Sequence, residues 1–146
     1  MSMLHLIYQV PGDDFTRAGE ASGDVKHKLK KLGYEPDAVR RVSIAMYEGE
    51  INMVIHANGG EAVVDIDTDR VDIVLKDQGP GIADVDQAMQ AGWSTAPDNV
   101  RALGFGAGMG LPNMKKYSDE MRIDSVVGVG TTVTMTVFPG MKKEGR

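Results

Sequence analysis

The chain has 146 residues, 42% of them apolar and 25% charged, which suits one globular domain (1–146) and leaves too little for two. A net charge of −5 and an isoelectric point near 5.1 argue against a nucleic-acid partner, because affinity for a phosphate backbone comes mainly from Lys and Arg. No window approaches the roughly 20 apolar residues of a membrane helix, the start lacks signal-peptide character, and cysteine is absent, so a cytoplasmic domain with no membrane partner is expected.

Residues 3–10 read as a strand closed by the turn-forming Pro11-Gly12-Asp13-Asp14. A first helix is predicted over about 15–32, ending at Gly33, a residue suited to the left-handed position past a helix. Its Lys26, Lys28, Lys30 and Lys31 can form a basic docking patch, although a solvated helix face explains them more simply. Pro36 opens a second helix, predicted to run to about Ala57 before Asn58-Gly59-Gly60 stops it. Two alternating segments, 61–68 and 71–77, are joined by Asp69-Arg70 and read as an antiparallel hairpin.

Residues 78–110 contain seven glycines and two prolines, with one short helical stretch near 85–90. Connections of that length inside a compact domain are usually functional lids or disordered segments. A third helix over about 111–117, a strand over 121–126, a Gly128-Val129-Gly130 turn and a strand over 131–138 follow, and the polar tail 140–146 is expected to fray. This order predicts an α+β, two-layer sandwich, with three helices covering one face of a mixed, mostly antiparallel sheet.

Candidate functional residues fall in four places. At about 100° per residue, Glu48, Asn52 and His56 lie within roughly 80° of each other on the second helix. Ile44, Ile51 and Ile55 flank that stripe on one side, and Val42, Ala45, Met46, Gly49 and Met53 on the other, whereas Ser43 and Glu50 project elsewhere. A buried carboxylate and amide need partners, and a bound ligand or an internally paired helix face supplies them equally well. His56 alone reads as a packing or capping residue.

Asp77 sits at a strand end, followed by Gly79 and Gly81; a carboxylate there can accept from an exocyclic amine while the glycines admit a flat ring, or it can simply cap a turn. The run from Gly104 to Gly110 leads into a helix at Leu111, and its backbone N–H groups and helix dipole suit phosphate. It lacks the Lys and Ser/Thr of a P-loop and the context of a Rossmann fingerprint. Thr131 shares a strand face with Val133, Met135 and Val137, towards the core. With no cysteine and only three histidines, a zinc site is not expected.

Taken together and in order, Glu48-x-x-x-Asn52, Asp77-x-Gly79-x-Gly81, the glycine run ending Gly106-Ala107-Gly108-Met109-Gly110-Leu111, and Gly130-Thr131 resemble the N, G1, G2 and G3 boxes of the GHKL ATPases. The resemblance spans about residues 39–137 and implies a Bergerat-type ATP-binding fold using ATP and Mg²⁺. It implies Glu48 as general base, Asn52 as the Mg²⁺ ligand, Asp77 as acceptor for the adenine amine, and Gly79 and Gly81 as the adenine wall. Gly106, Gly108 and Gly110, with Leu111 behind them, would form the phosphate lid, placed at about 83–110, and the Thr131 hydroxyl would contact Asp77 and the base.

Asp77-Gln-Gly-Pro-Gly-Ile82, Gly92-Trp-Ser-Thr95, Leu111-Pro-Asn-Met-Lys115 and Asp119-Glu120 further resemble the stand-alone anti-sigma-factor type of serine/threonine kinase. That resemblance implies transfer of the ATP γ-phosphate to a small antagonist (STAS-like) protein, or regulation of a sigma-factor-like partner, with a homodimer allowed. The alternative is a non-catalytic ATP-dependent switch acting through lid ordering. A lid longer than the usual pattern and Trp93 in place of a smaller aromatic are departures from it. A sensor histidine kinase is disfavoured for want of a helical hairpin carrying a phosphoacceptor His, and a gyrase-like clamp for want of a transducer domain.

Overall fold

The computed structural model describes residues 4–12, 17–56, 59–79, 81, 82, 89 and 110–139, with the His56 side chain excepted. In chain order the elements are β1 (Leu4–Pro11), α1 (Glu20–Lys31), α2 (Pro36–His56), β2 (Gly59–Ile66), β3 (Val71–Lys76), α3 (Gly110–Tyr117), β4 (Glu120–Val126) and β5 (Gly130–Val137). The five strands form one sheet in the order β1-β2-β3-β5-β4. All four pairings are antiparallel, so no parallel pair accompanies them among the described residues.

Alternation decides which sheet face is covered. A core row crosses all five strands, with Leu6 opposite Val64, Val64 opposite Ile73, Ile73 opposite Met135 and Met135 opposite Met121. Val64, Ile73 and Met135 are fully buried there, packed with Val25 and Leu29 of α1, Val42, Met46 and Val54 of α2, and Met114 of α3. Side chains of the opposite parity, such as Asp65, Asp72 and Thr134, line the other face.

The helix ends differ from expectation in one place. α1 begins at Glu20 and not near residue 15, because Gly19 before it has φ +100°, which a helix cannot continue through; Phe15 itself lies outside the described residues. Gly19 carries no side-chain cap. The buried Glu50 carboxylate of α2 supplies one instead, accepting from the N–H groups of Gly19 at 2.9 Å, Ala21 at 3.2 Å and Ser22 at 3.1 Å. At the other end, Gly33 N–H donates to Lys30 and Tyr34 N–H to Leu29, the paired bonds of a glycine-terminated helix.

α2 ends at His56, before Gly59 and Gly60 as expected, and these two glycines already pair in β2, opposite Pro11 and Val10. α2 is also pinned near its start. The guanidinium of Arg41, 1% exposed, donates to Asp37 at 2.9 Å, to Asp119 at 2.8 Å and to the Phe138 carbonyl at 3.1 Å, tying α2 to the segments that flank β4 and β5.

Candidate functional site

α2 and α3 cross with their polar residues facing. Glu48 and Asn52 are one turn apart on α2; Gly110, Asn113 and Met114 occupy the first turns of α3. Glu48 is half-buried, and burial pushes its carboxyl above the usual range, while a hydrogen bond from the Asn113 side chain opposes the shift. Asn52 faces the very start of α3: a Cβ added to Gly110 would stand 2.9 Å from Asn52 Oδ1 and 3.0 Å from Nδ2. Only glycine leaves that amide its space.

The Asn52 amide is poorly satisfied. Its Nδ2 reaches the Met114 sulfur at 3.9 Å, a weak acceptor, and Oδ1 accepts from no described residue. α3 can start here because Pro112 falls in its first turn, where a missing N–H costs nothing. Ser118 closes it, donating through both N–H and hydroxyl to the Met114 carbonyl.

The second half of the site lies where β3 meets β5. Asp77 N–H donates to the Thr131 carbonyl at 2.9 Å, extending the sheet pairing one residue beyond Lys76. Asp77 Oδ1 in turn accepts from Thr131 N–H at 3.1 Å and from Gly79 N–H at 2.9 Å. Oδ2 accepts from no described residue, so one oxygen is fixed by the fold and the other is available to a ligand. Gly60 fills the gap between this strand end and α2, since a Cβ on it would lie 3.1 Å from Asp77 Cα and 3.0 Å from the sulfur of Met53, the neighbour of Asn52.

Thr131 is buried as expected, yet the bond to Asp77 comes from its N–H and not from its hydroxyl. The hydroxyl pairs with Ser125 Oγ at 2.8 Å, and that same oxygen accepts from Ile82 N–H at 2.7 Å. Ser125 thereby fastens the glycine turn after Asp77 to β4 and β5. Gly81, at φ +78°, passes so close that a Cβ would meet the Val126 carbonyl oxygen at 2.5 Å.

Ser125 and Asn113 were not singled out in the sequence. A signal existed for Ser125, because it follows Met121 and Ile123 on the inward parity of β4 and is the polar member of an apolar series. None existed for Glu50, whose partners lie 28 to 31 residues away. Gly106 and Gly108, the Gly92–Thr95 element and the helical stretch near 85–90 lie outside the described residues, Met89 apart, and the lid they were assigned to is not placed. The lysines of α1 sit elsewhere: Lys28 pairs with Asp24, while Lys26 and Lys30 join Tyr34, Val39, Arg40 and Ile44 around a groove of about 520 Å³ beside the first turns of α2.

Among the described residues, the site thus consists of a carboxyl and an amide one turn apart on α2, the start of α3, and an aspartate at the end of β3 with one oxygen bonded by the fold. The family model "Histidine kinase-like ATPase domain" matches residues 15–137. The chain belongs to that family.

Its relatives include a serine/threonine-protein kinase, RsbT, of Bacillus subtilis (strain 168), 33% identical over 112 residues that cover 74% of this chain and 78% of that protein. They also include an anti-sigma F factor of Thermoanaerobacter sp. (strain X514), 32% identical over 114 residues, with 73% and 75% covered. Among solved structures, the RsbU and RsbW domains of a Mycobacterium tuberculosis protein superpose with a TM-score of 0.63 at 17% identity, covering 97% of this chain and 34% of that one. A mycobacterial sensor histidine kinase, MprB, gives 0.53 at 18% identity, with 93% and 98% covered. At such identities these two likenesses speak for the fold alone. Among the described residues, no helix of this family member is long and apolar enough to cross a membrane.

Proposed function

We propose that this chain is an ATP-dependent serine/threonine protein kinase of the anti-sigma-factor type, acting in the cytoplasm on a small regulatory partner, a STAS-like antagonist or a sigma-factor-like protein. The observation that carries the reading is the Glu48–Asn52 pair: a half-buried carboxyl that burial pushes above its usual range, one turn from an amide oxygen that accepts from no described residue. The names of the relatives, a serine/threonine kinase and anti-sigma factors, support the reaction class and the kind of partner.

The donor set fits the cofactor. Mg²⁺ is a hard cation that favours oxygen and takes most of its ligands from phosphates and water, so one open amide oxygen suits it. No group of three His, Cys, Asp or Glu that could hold a metal exists among the described residues, which leaves phosphate oxygens to complete such a site. Mg-ATP, when bound, supplies the phosphoryl group and neutralises the charge that develops on its oxygens.

The chain's own residues then divide the work. Asn52 Oδ1 would hold the cation, and Asp77 Oδ2 would accept the adenine amine, its partner oxygen being fixed by Thr131 and Gly79. Gly79 and Gly81 would border the base. Gly106, Gly108 and Gly110, before Leu111 and the positive end of α3, would face the phosphates. Glu48 would take the proton of the attacking serine or threonine hydroxyl, a role favoured by a carboxyl whose burial raises its basicity. The test is transfer of label from γ-labelled ATP to candidate antagonist domains, with Asn52→Ala expected to lose Mg-dependent ATP affinity and transfer together.

A further inference from the structure

Two of the four lysines of α1 border a groove that the nucleotide site does not use. Lys26 and Lys30, one turn apart on α1, line it together with Arg40 of α2, and Pro36, Val39 and Ile44 supply apolar surface around a space of about 520 Å³. No carboxylate lines it. Elsewhere the chain neutralises its cations: Lys28 pairs with Asp24, Arg41 with Asp37 and Asp119, Arg70 with Asp72, and Arg122 with Asp124. Lys26, Lys30 and Arg40 pair with no carboxylate among the described residues. Arg40 lies instead over the Tyr117 ring of α3, 5.3 Å from its centroid, which leaves the edge N–H groups of the guanidinium for another partner.

We infer that this groove docks an acidic segment of the partner protein, with an apolar side chain seated against Val39 and Ile44 and carboxylates on Lys26, Lys30 and Arg40. Charge complementarity selects that occupant. A second copy of this chain, with its net charge of −5, is repelled at long range, and an uncharged apolar peptide leaves three cations unused. A solvated helix face, the simpler reading of the lysines alone, does not account for the concave apolar surface between them.

Position gives the groove a use. Ile44 and Arg40 precede Glu48 on α2 by one and two turns, which puts Arg40 about 12 Å along the helix from the candidate base. An extended segment covers that distance in about four residues, so an acidic anchor held by Arg40 brings a serine or threonine at that spacing to Glu48. Only this last step rests on the kinase reading; the docking itself does not.

The test uses the full-length protein and, as probes, a fluorescein-labelled peptide of Leu-Glu-Glu-Leu repeats and its Leu-Gln-Gln-Leu counterpart. In ¹⁵N-labelled protein the acidic peptide should shift amide resonances centred on the α1 and α2 residues that line the groove, and the Gln peptide should shift them less. Fluorescence anisotropy should give an affinity that weakens with salt and falls about tenfold in Lys26→Glu/Lys30→Glu and in Arg40→Glu, with ATP affinity unchanged. With a verified antagonist domain, the same variants should raise KM for that protein about tenfold and leave kcat alone.

Equal peptide affinity in wild type and variants overturns the proposal, as do equal binding of the Gln peptide and shifts that map away from the groove. Groove resonances that move on dilution without peptide give the face to a second copy, and shifts seen with phosphatidylglycerol vesicles but not with peptide give it to a membrane; either result overturns it too. Peptide binding needs no phosphoryl transfer. A wild type that docks the peptide in the groove yet phosphorylates no antagonist domain keeps the docking site and ends the kinase reading, whereas transfer with KM unchanged in the variants keeps the kinase and overturns the groove as its partner's dock.

Discussion

Thr131 donates its backbone N–H to Asp77 Oδ1 at 3.1 Å, and Asp77 returns its own N–H to the Thr131 carbonyl at 2.9 Å. This reciprocal pair fixes the carboxylate at the end of β3 without using its second oxygen. A main-chain donor does this whatever side chain residue 131 carries, so Thr131→Val should preserve the Asp77 geometry and lose only the link to Ser125. Asp77→Asn should weaken ATP binding about tenfold to a hundredfold, the equivalent of losing one charge-assisted hydrogen bond in a buried site. Titration calorimetry checks it, and unchanged affinity removes Asp77 from the adenine site.

Gly110→Ala should leave the fold intact and damage the metal site. Alanine suits a helix better than glycine, yet its Cβ would stand 2.9 Å from Asn52 Oδ1, and the movable partner is the end of the Asn52 side chain. Thermal stability should hold while Mg-dependent ATP affinity falls by about an order of magnitude, the scale of losing an ordinary hydrogen-bonded ligand. Equal Mg²⁺ dependence in wild type and variant would show that Asn52 does not hold the cation.

Glu50→Ala should be among the most destabilising single changes outside the apolar core. It leaves three N–H groups at the start of α1 without an acceptor and opens a cavity where the carboxylate lay. The cost expected is about 2 to 4 kcal/mol, from a lost cap joined to buried unsatisfied donors. Urea denaturation measures it, and a loss below about 0.5 kcal/mol, the level of an ordinary surface change, would show that the cap contributes little.

These particulars show how much could be read from sequence. Period-2 alternation in 61–66, 71–76 and 131–137 gave the sheet its inward face, and the spacing of Glu48 and Asn52 gave the polar stripe its side of α2, because both are local consequences of strand and helix geometry. Glu50 escaped, since helical periodicity places it away from the stripe but says nothing of α1 lying there to receive it. Arg41 escaped for the same reason: its partners Asp119 and Phe138 are 78 and 97 residues distant. The Thr131 contact was expected through the wrong atom, because residue type advertises a hydroxyl while the antiparallel register delivers the N–H.

Glu48 also links the site to stability. Its carboxyl titrates above its unfolded value, so the folded protein binds a proton more readily than the unfolded chain; the stabilising contribution is complete below the ordinary glutamate range and is lost as pH rises through the raised value. Glu48→Gln mimics the neutral form and keeps a group for Asn113 to bond. Its melting temperature should match wild type in mild acid and exceed it at pH 7 to 8. A wild-type advantage at pH 8 would contradict the raised carboxyl.

The central claim, that Glu48 takes the proton while Asn52 and Asp77 hold the nucleotide, is tested most directly by one comparison: label transferred from γ-labelled ATP to a verified antagonist domain, in a single turnover at saturating Mg-ATP, by wild type and by Glu48→Gln. The variant should bind ATP nearly as wild type does and transfer about 10² to 10⁴ more slowly, the range of general base catalysis. Transfer at the wild-type rate would contradict the assignment and leave positioning and the metal alone to drive the reaction.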